Sequence, residues 1–221
     1  NLYNYKNFPF IYEVKNNDVT EIRFREGIHI IDKPIFFPTN KRIVISSGTS
    51  LNMISDSFIR SQSPLFMQGL PEDPIKIFSN DNTGGGIIID RVKGLSKIEH
   101  VNFHGLKNNA KTGITGSVTF YETTGEIKNF TFKNINYEDA LNIVRSTFKI
   151  EKCQFIDNQS DALDIDFSKG KIKNCYFLNS RNDALDFSGS SVQLKNINVV
   201  HAGDKGISIG EKTSLQGSNI T

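Results

Sequence analysis

Apolar and polar residues alternate over short stretches of this chain, and the stretches recur at a fixed interval. Ile150-Glu151-Lys152-Cys153-Gln154-Phe155 returns as Ile172-Lys173-Asn174-Cys175-Tyr176-Phe177 and again as Leu194-Lys195-Asn196-Ile197-Asn198-Val199, a period of 22 residues. Leu215-Gln216-Gly217 opens a further copy. The second half of each copy repeats as well, Asp161-Ala162-Leu163-Asp164 becoming Asp183-Ala184-Leu185-Asp186. Looser copies start at Ile127, Ile98 and Ile75, and Gly27 to Ile31 and Ile43 to Ile45 read as earlier strands. Within a copy Cys153, Phe155, Leu163, Ile165 and Phe167 are the apolar members, with polar residues between them. That period of two predicts strands with one buried face. The breaks are rich in Asn, Asp, Ser and Gly, which form tight turns. No stretch has the three-and-four spacing of an amphipathic helix.

A short unit repeated in this way cannot bury its apolar face alone and must stack on its neighbours. The pattern predicts an all-β chain, a single-stranded right-handed parallel β-helix (a solenoid) of roughly 22-residue coils. Residues 1–221 form one domain in this reading. Residues 1–25 cap the first coil, whose strand edges would otherwise be open, and 26–221 form the coils. The chain lacks an initiator Met and stops inside a copy at Ile220-Thr221, so it is expected to be part of a longer polypeptide, with the helix continuing beyond it.

Composition adds limits. The 221 residues suffice for one continuous core. A net charge of +2 does not point to nucleic acid as a partner. No apolar run is long enough to cross a bilayer, so no membrane insertion is expected, and no signal peptide is visible. Cys153 and Cys175 hold the same repeat position; regular strand neighbours with parallel side chains make a poor disulfide, so two buried free thiols are expected. His29, His100, His104 and His201 share no repeat position and have no metal-ligand spacing. Gly84-Gly85-Gly86 reads as a turn, and Asn129, Asn174 and Asn196 as a structural column.

Equal repeat positions should form columns on the outside of the coils. Aligning Leu141, Leu163, Leu185 and Ile207 as inward residues puts Asn142, Asp164, Asp186 and Ser208 in one outward column, with Thr119 at its top. Val144, Asp166, Ser188 and Gly210 form the next, with Tyr121 at its top. Asp139, Asp161, Asp183 and Lys205 align as a turn column, where each Asp has a simple role as a turn residue bonded to nearby backbone N–H groups. The result is a carboxylate patch of Asp161, Asp164, Asp166, Asp183 and Asp186, with Arg145 near one end. Carboxylates one strand apart repel. In a groove the repulsion is relieved by a retained proton, by a bridging Ca²⁺ held by Asp164, Asp166 and Asp186, or by Arg145 or Lys205.

These repeats resemble the pectate-lyase-like superfamily of right-handed β-helices. Three segments resemble the order of motifs in polygalacturonases: Ser160-Asp161-Ala162-Leu163-Asp164-Ile165, Asn182-Asp183-Ala184-Leu185-Asp186, and Gly203-Asp204-Lys205-Gly206-Ile207-Ser208-Ile209-Gly210. The resemblance implies a polysaccharide as partner and a secreted or cell-surface location. It matches Asp161 and Asp183 to catalytic acids, with Asp164, Asp186 and Lys205 completing the candidate catalytic set. Tyr121, Arg145 and Asp166 are the candidate substrate-binding residues. The chain departs from the pattern at Asn182, where the family has Asp, and at Lys205, where it has His. Glycoside hydrolysis needs a complete acid and base pair, whereas a lyase or epimerase on a uronic-acid polymer uses a cation and a proton-moving residue such as Lys205, Arg145 or Tyr121. Two readings therefore stand, with no cofactor required beyond a candidate Ca²⁺. One is a protein that binds or processes an acidic extracellular polysaccharide along its outer groove. The other is a non-catalytic structural or adhesin-type segment. Whether the stretch from Lys107 to Gly116 walls a groove separates them.

Overall fold

The computed structural model describes residues 4–107 and 113–221. The chain winds as a right-handed solenoid of about 8 turns with ~23-residue spacing. Eight short strands stack in parallel as one sheet: Ile35–Phe37, Ile59–Ser61, Ile87–Asp90, Gly116–Tyr121, Asp139–Val144, Asp161–Asp166, Leu185–Ser188 and Ile207–Ile209. The opposing sheet has 13 strands. In its C-terminal part each coil contributes one long strand, from Leu95–His104 through Thr124–Lys133, Thr147–Ile156, Lys169–Ser180 and Ser191–Ala202 to Ser214–Ile220. In its N-terminal part the path is split. Arg42–Ser46 and Leu65–Gln68 lead to the first half of Leu95–His104, while Gly27–Ile31, Thr49–Met53 and Ile75–Phe78 lead to the second half. Among the described residues the only helical turn is a 3-10 turn at Tyr5–Asn7.

Residues in the left-handed conformation, asparagine most often among them, turn the chain. Each C-terminal coil bends at three corners, and a residue with positive φ sits at each. One corner uses Arg91, Glu122, Arg145, Phe167 and Gly189 in successive coils; the second uses His100, Asn129, Lys152, Asn174, Asn196 and Asn219; the third uses Gly105, Asn134, Asp157, Asn179 and His201. Asn tolerates this left-handed conformation better than other residues with a Cβ. Its side chain also links coils: Asn219 donates to Asn196 Oδ1 at 2.8 Å and Asn196 to Asn174 Oδ1 at 2.7 Å. The histidines enter these ladders. His100 meets the Asn129 amide at 3.3 Å, His104 the Asn134 amide at 3.1 Å, and His201 Nδ1 the Asn179 Oδ1 at 3.3 Å.

The core is a stack of identical positions. Phe103, Phe132, Phe155 and Phe177 form a column of near-parallel rings, with centroids 4.5, 5.2 and 4.9 Å apart. Leu141, Leu163 and Leu185 stack in register on the other sheet. A hydroxyl ladder, unread in the sequence, lines the first corner. Ser146, Ser168 and Ser190 are buried, and the N–H of Ser146 donates to Ser168 Oγ, as that of Ser168 does to Ser190 Oγ, both at 2.9 Å. These serines recur every 22 residues, so the signal was present. At the N-terminus Ile11–Asn16 and Val19–Phe24 pair antiparallel, and the second of them joins Arg42–Ser46 in parallel. Tyr5 and Phe8 are buried, Tyr5 lying 5.5 Å from the Phe37 ring, so this segment covers the apolar end of the first coil.

Three expectations are corrected. Cys153 and Cys175 form a disulfide, with Cα atoms 4.6 Å apart. They are not regular strand positions. Lys152 and Asn174 turn the chain immediately before them, and the strand register skips both cysteines, running from Glu151↔Lys173 to Gln154↔Tyr176. The corner brings the two Cα atoms within disulfide range. Phe167 is not inward but 60% exposed, because its positive φ carries it round the first corner and Ser168 takes the inward place. Gly84 to Gly86 is a buried crossing and not a turn. A Cβ on Gly86 would lie 1.6 Å from the Ser117 carbonyl oxygen, so only glycine lets the adjacent coils approach this closely.

Candidate functional site

The outer face of the eight-stranded sheet carries the carboxyl columns. Thr119, Asn142, Asp164, Asp186 and Ser208 are successive register partners. Tyr121, Val144, Asp166 and Ser188 are partners in the second column. Asp164 and Asp186 are therefore one strand spacing apart, and Asp166 lies two residues along the strand from Asp164. All three are half-buried.

The turn column is put to a different use. Asp161 Oδ1 accepts the Asp183 N–H at 2.9 Å and the Asn182 amide at 2.6 Å. Asp183 Oδ1 accepts the Lys205 N–H at 2.8 Å. Asp161 and Asp183 are buried, at 9% and 4% exposure, and tie each turn to the next coil. Asp183→Ala is accordingly expected to cost about 1–3 kcal/mol through loss of a charge-assisted bond, with Asp186→Asn near neutral, as thermal melts of the two variants will show. Lys205 stands at the edge. Its ammonium bonds the Asp204 carboxylate and lies 3.9 Å from Asp183 Oδ2; the Asp204 bond holds its pKa above the ordinary lysine value.

Arg145 is drawn away from the acids. From its corner it donates to the Tyr121 hydroxyl at 3.2 Å, and its guanidinium carbon sits 5.7 Å from the centre of the Phe167 ring. Among the described residues it pairs with no carboxylate. Phe167, in turn, lies against Gly189, where a Cβ would come within 2.6 Å of the ring. Arg145 and Phe167 thus form an exposed shelf beside Asp166. The shelf was not legible because Phe167 falls on the inward parity of its strand.

Electrostatics single out two carboxyls. Burial pushes Asp164 up to about 8, and the charges of Asp139, Asp166, Asp186 and Asp161 add to the effect. Its Oδ2 accepts the Asn142 amide at 2.8 Å. Asp139 is pushed to about 7, again chiefly by burial; a bond from Thr115 opposes the rise and the charges of Asp161, Glu138 and Asp166 reinforce it. Asp139 is 2% exposed, and its Oδ2 is buried without a hydrogen-bond partner. Burial also raises Asp161 and Asp166. Asp139 was visible as the top of the Asp161 and Asp183 column, but alignment alone gives no measure of desolvation.

The metal reading does not fit this donor set. No group of three or more Asp, Glu, His or Cys side chains is arranged to hold a metal ion among the described residues. Residues 108–112, the heart of the stretch whose course separates the two readings, lie outside the described residues.

The stacked coils define the class: a right-handed parallel β-helix protein. Residues 113–221 match the family described as "Right handed beta helix region". No curated protein matches the chain. Solved structures similar to it include a candidate glycosyl hydrolase from Parabacteroides merdae, with 10% identity over 85% of this chain and 82% of that one, at a TM-score of 0.31. ORF18 of Geobacillus virus E2 has 12% identity over 94% of this chain and 56% of that one, also at 0.31. The periplasmic alginate epimerase AlgG has 9% identity over 92% and 85%, again at 0.31.

Proposed function

We propose that the chain processes an extracellular acidic polysaccharide on the outer face of its eight-stranded sheet. The observation that carries this reading is Asp164, a half-buried outward carboxyl raised to about 8, beside its register partner Asp186. At neutral pH Asp164 is then a proton donor with another carboxyl one strand away, the arrangement that general acid catalysis at a glycosidic oxygen calls for. Protonation matters for affinity too. A face of five ionised carboxylates would repel a polyanion, whereas protonated Asp164 donates a hydrogen bond to a sugar hydroxyl or carboxylate. The exposed Phe167 ring, with Arg145 over it, offers an apolar platform and a cation for an acidic sugar ring. Lys205 and Tyr121 flank the columns as further proton-moving groups. The Cys153–Cys175 bridge supports a secreted or cell-surface location, since disulfides persist in oxidising compartments.

The second reading, a non-catalytic rod, draws support from Asp161 and Asp183, which are occupied as turn bonds. A panel of acidic polysaccharides, assayed for new reducing ends and for unsaturated products, decides between the two. Turnover by the wild type is expected, with loss of about 10²-fold or more in Asp164→Asn and an unchanged fold. Activity should also fall as pH rises through about 8, where Asp164 loses its proton. No product from any substrate would favour the rod.

A further inference from the structure

A second feature lies far from the carboxyl columns, at the N-terminal end of the first corner. A cavity of about 670 Å³ opens across three successive coils. Lys41, Arg42, Arg91 and Lys93 line it together with Phe66 and Leu95, and no carboxylate does. The counter-charges stand behind these cations and are shared. Glu21 is 3.8 Å from Arg42 but bonds Arg23 at 2.6 Å. Asp90 serves both Arg91 and Arg60. Lys41 is 3.9 Å from Glu13. Lys93 is exposed and has no ion pair among the described residues. Arg42 is held in place by the Phe66 ring, its guanidinium carbon 4.0 Å from the centroid, yet its Nε is buried without a hydrogen-bond partner.

From this we infer that the cavity is a binding site for the carboxylates of a short acidic oligosaccharide. Four cations with an unspent buried donor select an anion. Three coils span about 10 Å along the axis, more than one small anion bridges. The volume falls within the range of roughly 300–1,000 Å³ that encloses a medium-sized ligand, and the mixed apolar and cationic lining matches a sugar acid. The preference for an anion stands on the cavity alone; the choice of a sugar acid rests on the carbohydrate reading above.

Isothermal titration with trigalacturonate, its methyl ester and inorganic phosphate tests the assignment. Trigalacturonate should bind, and the uncharged ester at least about tenfold more weakly. Lys93→Glu, an exposed substitution whose folding a thermal melt verifies, should weaken binding by about tenfold or more, and Lys41→Gln should act in the same direction. Binding that ignores Lys93→Glu would overturn the site, as would binding of phosphate without trigalacturonate. If no polysaccharide is turned over but binding still depends on Lys93, the catalytic reading fails and this site stands.

Discussion

Phe177→Ala is expected to destabilise the protein by about 3–5 kcal/mol, the usual cost of emptying a large buried aromatic site. Phe177 is fully buried and stacks on Phe155 at 4.9 Å, with ring planes 4° apart. Its partner on the next coil is Val199, which is too small to fill the gap. The neighbours cannot collapse into it, because each coil is fixed above and below by a continuous hydrogen-bonded ladder. Stability in a stacked fold is a sum over nearest-neighbour interfaces, so the lesion should fall mainly on the C-terminal coils. Phe167→Ala is the control. That ring is exposed, and its loss should cost within about 0.5 kcal/mol. Urea denaturation of the two variants side by side checks the prediction, and equal midpoints would contradict the packing described.

The second large effect is on pH dependence. The ordinary aspartate value is 3.8, and in the fold Asp164 is raised to about 8. Between those values the folded state holds a proton that the unfolded chain has released. The stability this gives is complete below about pH 3.8 and is lost as pH rises towards 8, at about 1.4 kcal/mol per pH unit. Asp139, raised to about 7 and interacting with Asp164, contributes in the same direction. The protein should therefore melt lower at pH 8.5 than at pH 5. Asp164→Asn keeps an acceptor for the Asn142 amide and carries no charge. It should flatten the dependence and gain about 2–5 kcal/mol at pH 8.5, leaving the slope due to Asp139. Thermal melts over pH 4 to 9 read this directly, and an Asn variant with the wild-type slope would contradict it.

The fold was legible because a solenoid writes its register into the sequence. Phe155 and Phe177, or Asp164 and Asp186, share a column simply by being one period apart. The N-terminal coils were harder. Ile35–Phe37 and Ile59–Ser61 are three residues each, too short to show alternation. The corners were the blind spot, and the misreadings of Cys153, Cys175 and Phe167 all fall there. One left-handed residue reverses the inward and outward parity that strand reasoning relies on. The outward carboxyl columns could be listed from the repeat, but their inequality could not. Asp161 and Asp183 are engaged by backbone N–H groups and Asp164 is desolvated, a difference made by burial and neighbouring coils.

Catalysis on this face turns on whether Asp164 keeps its proton at neutral pH. A ¹³C NMR titration of the aspartate side-chain carboxyls, with Asp164 assigned through Asp164→Asn, measures this without any substrate. A midpoint near 8 is the predicted result. A midpoint near the ordinary value of 3.8 would leave Asp164 an ionised surface residue and remove the basis for a catalytic face.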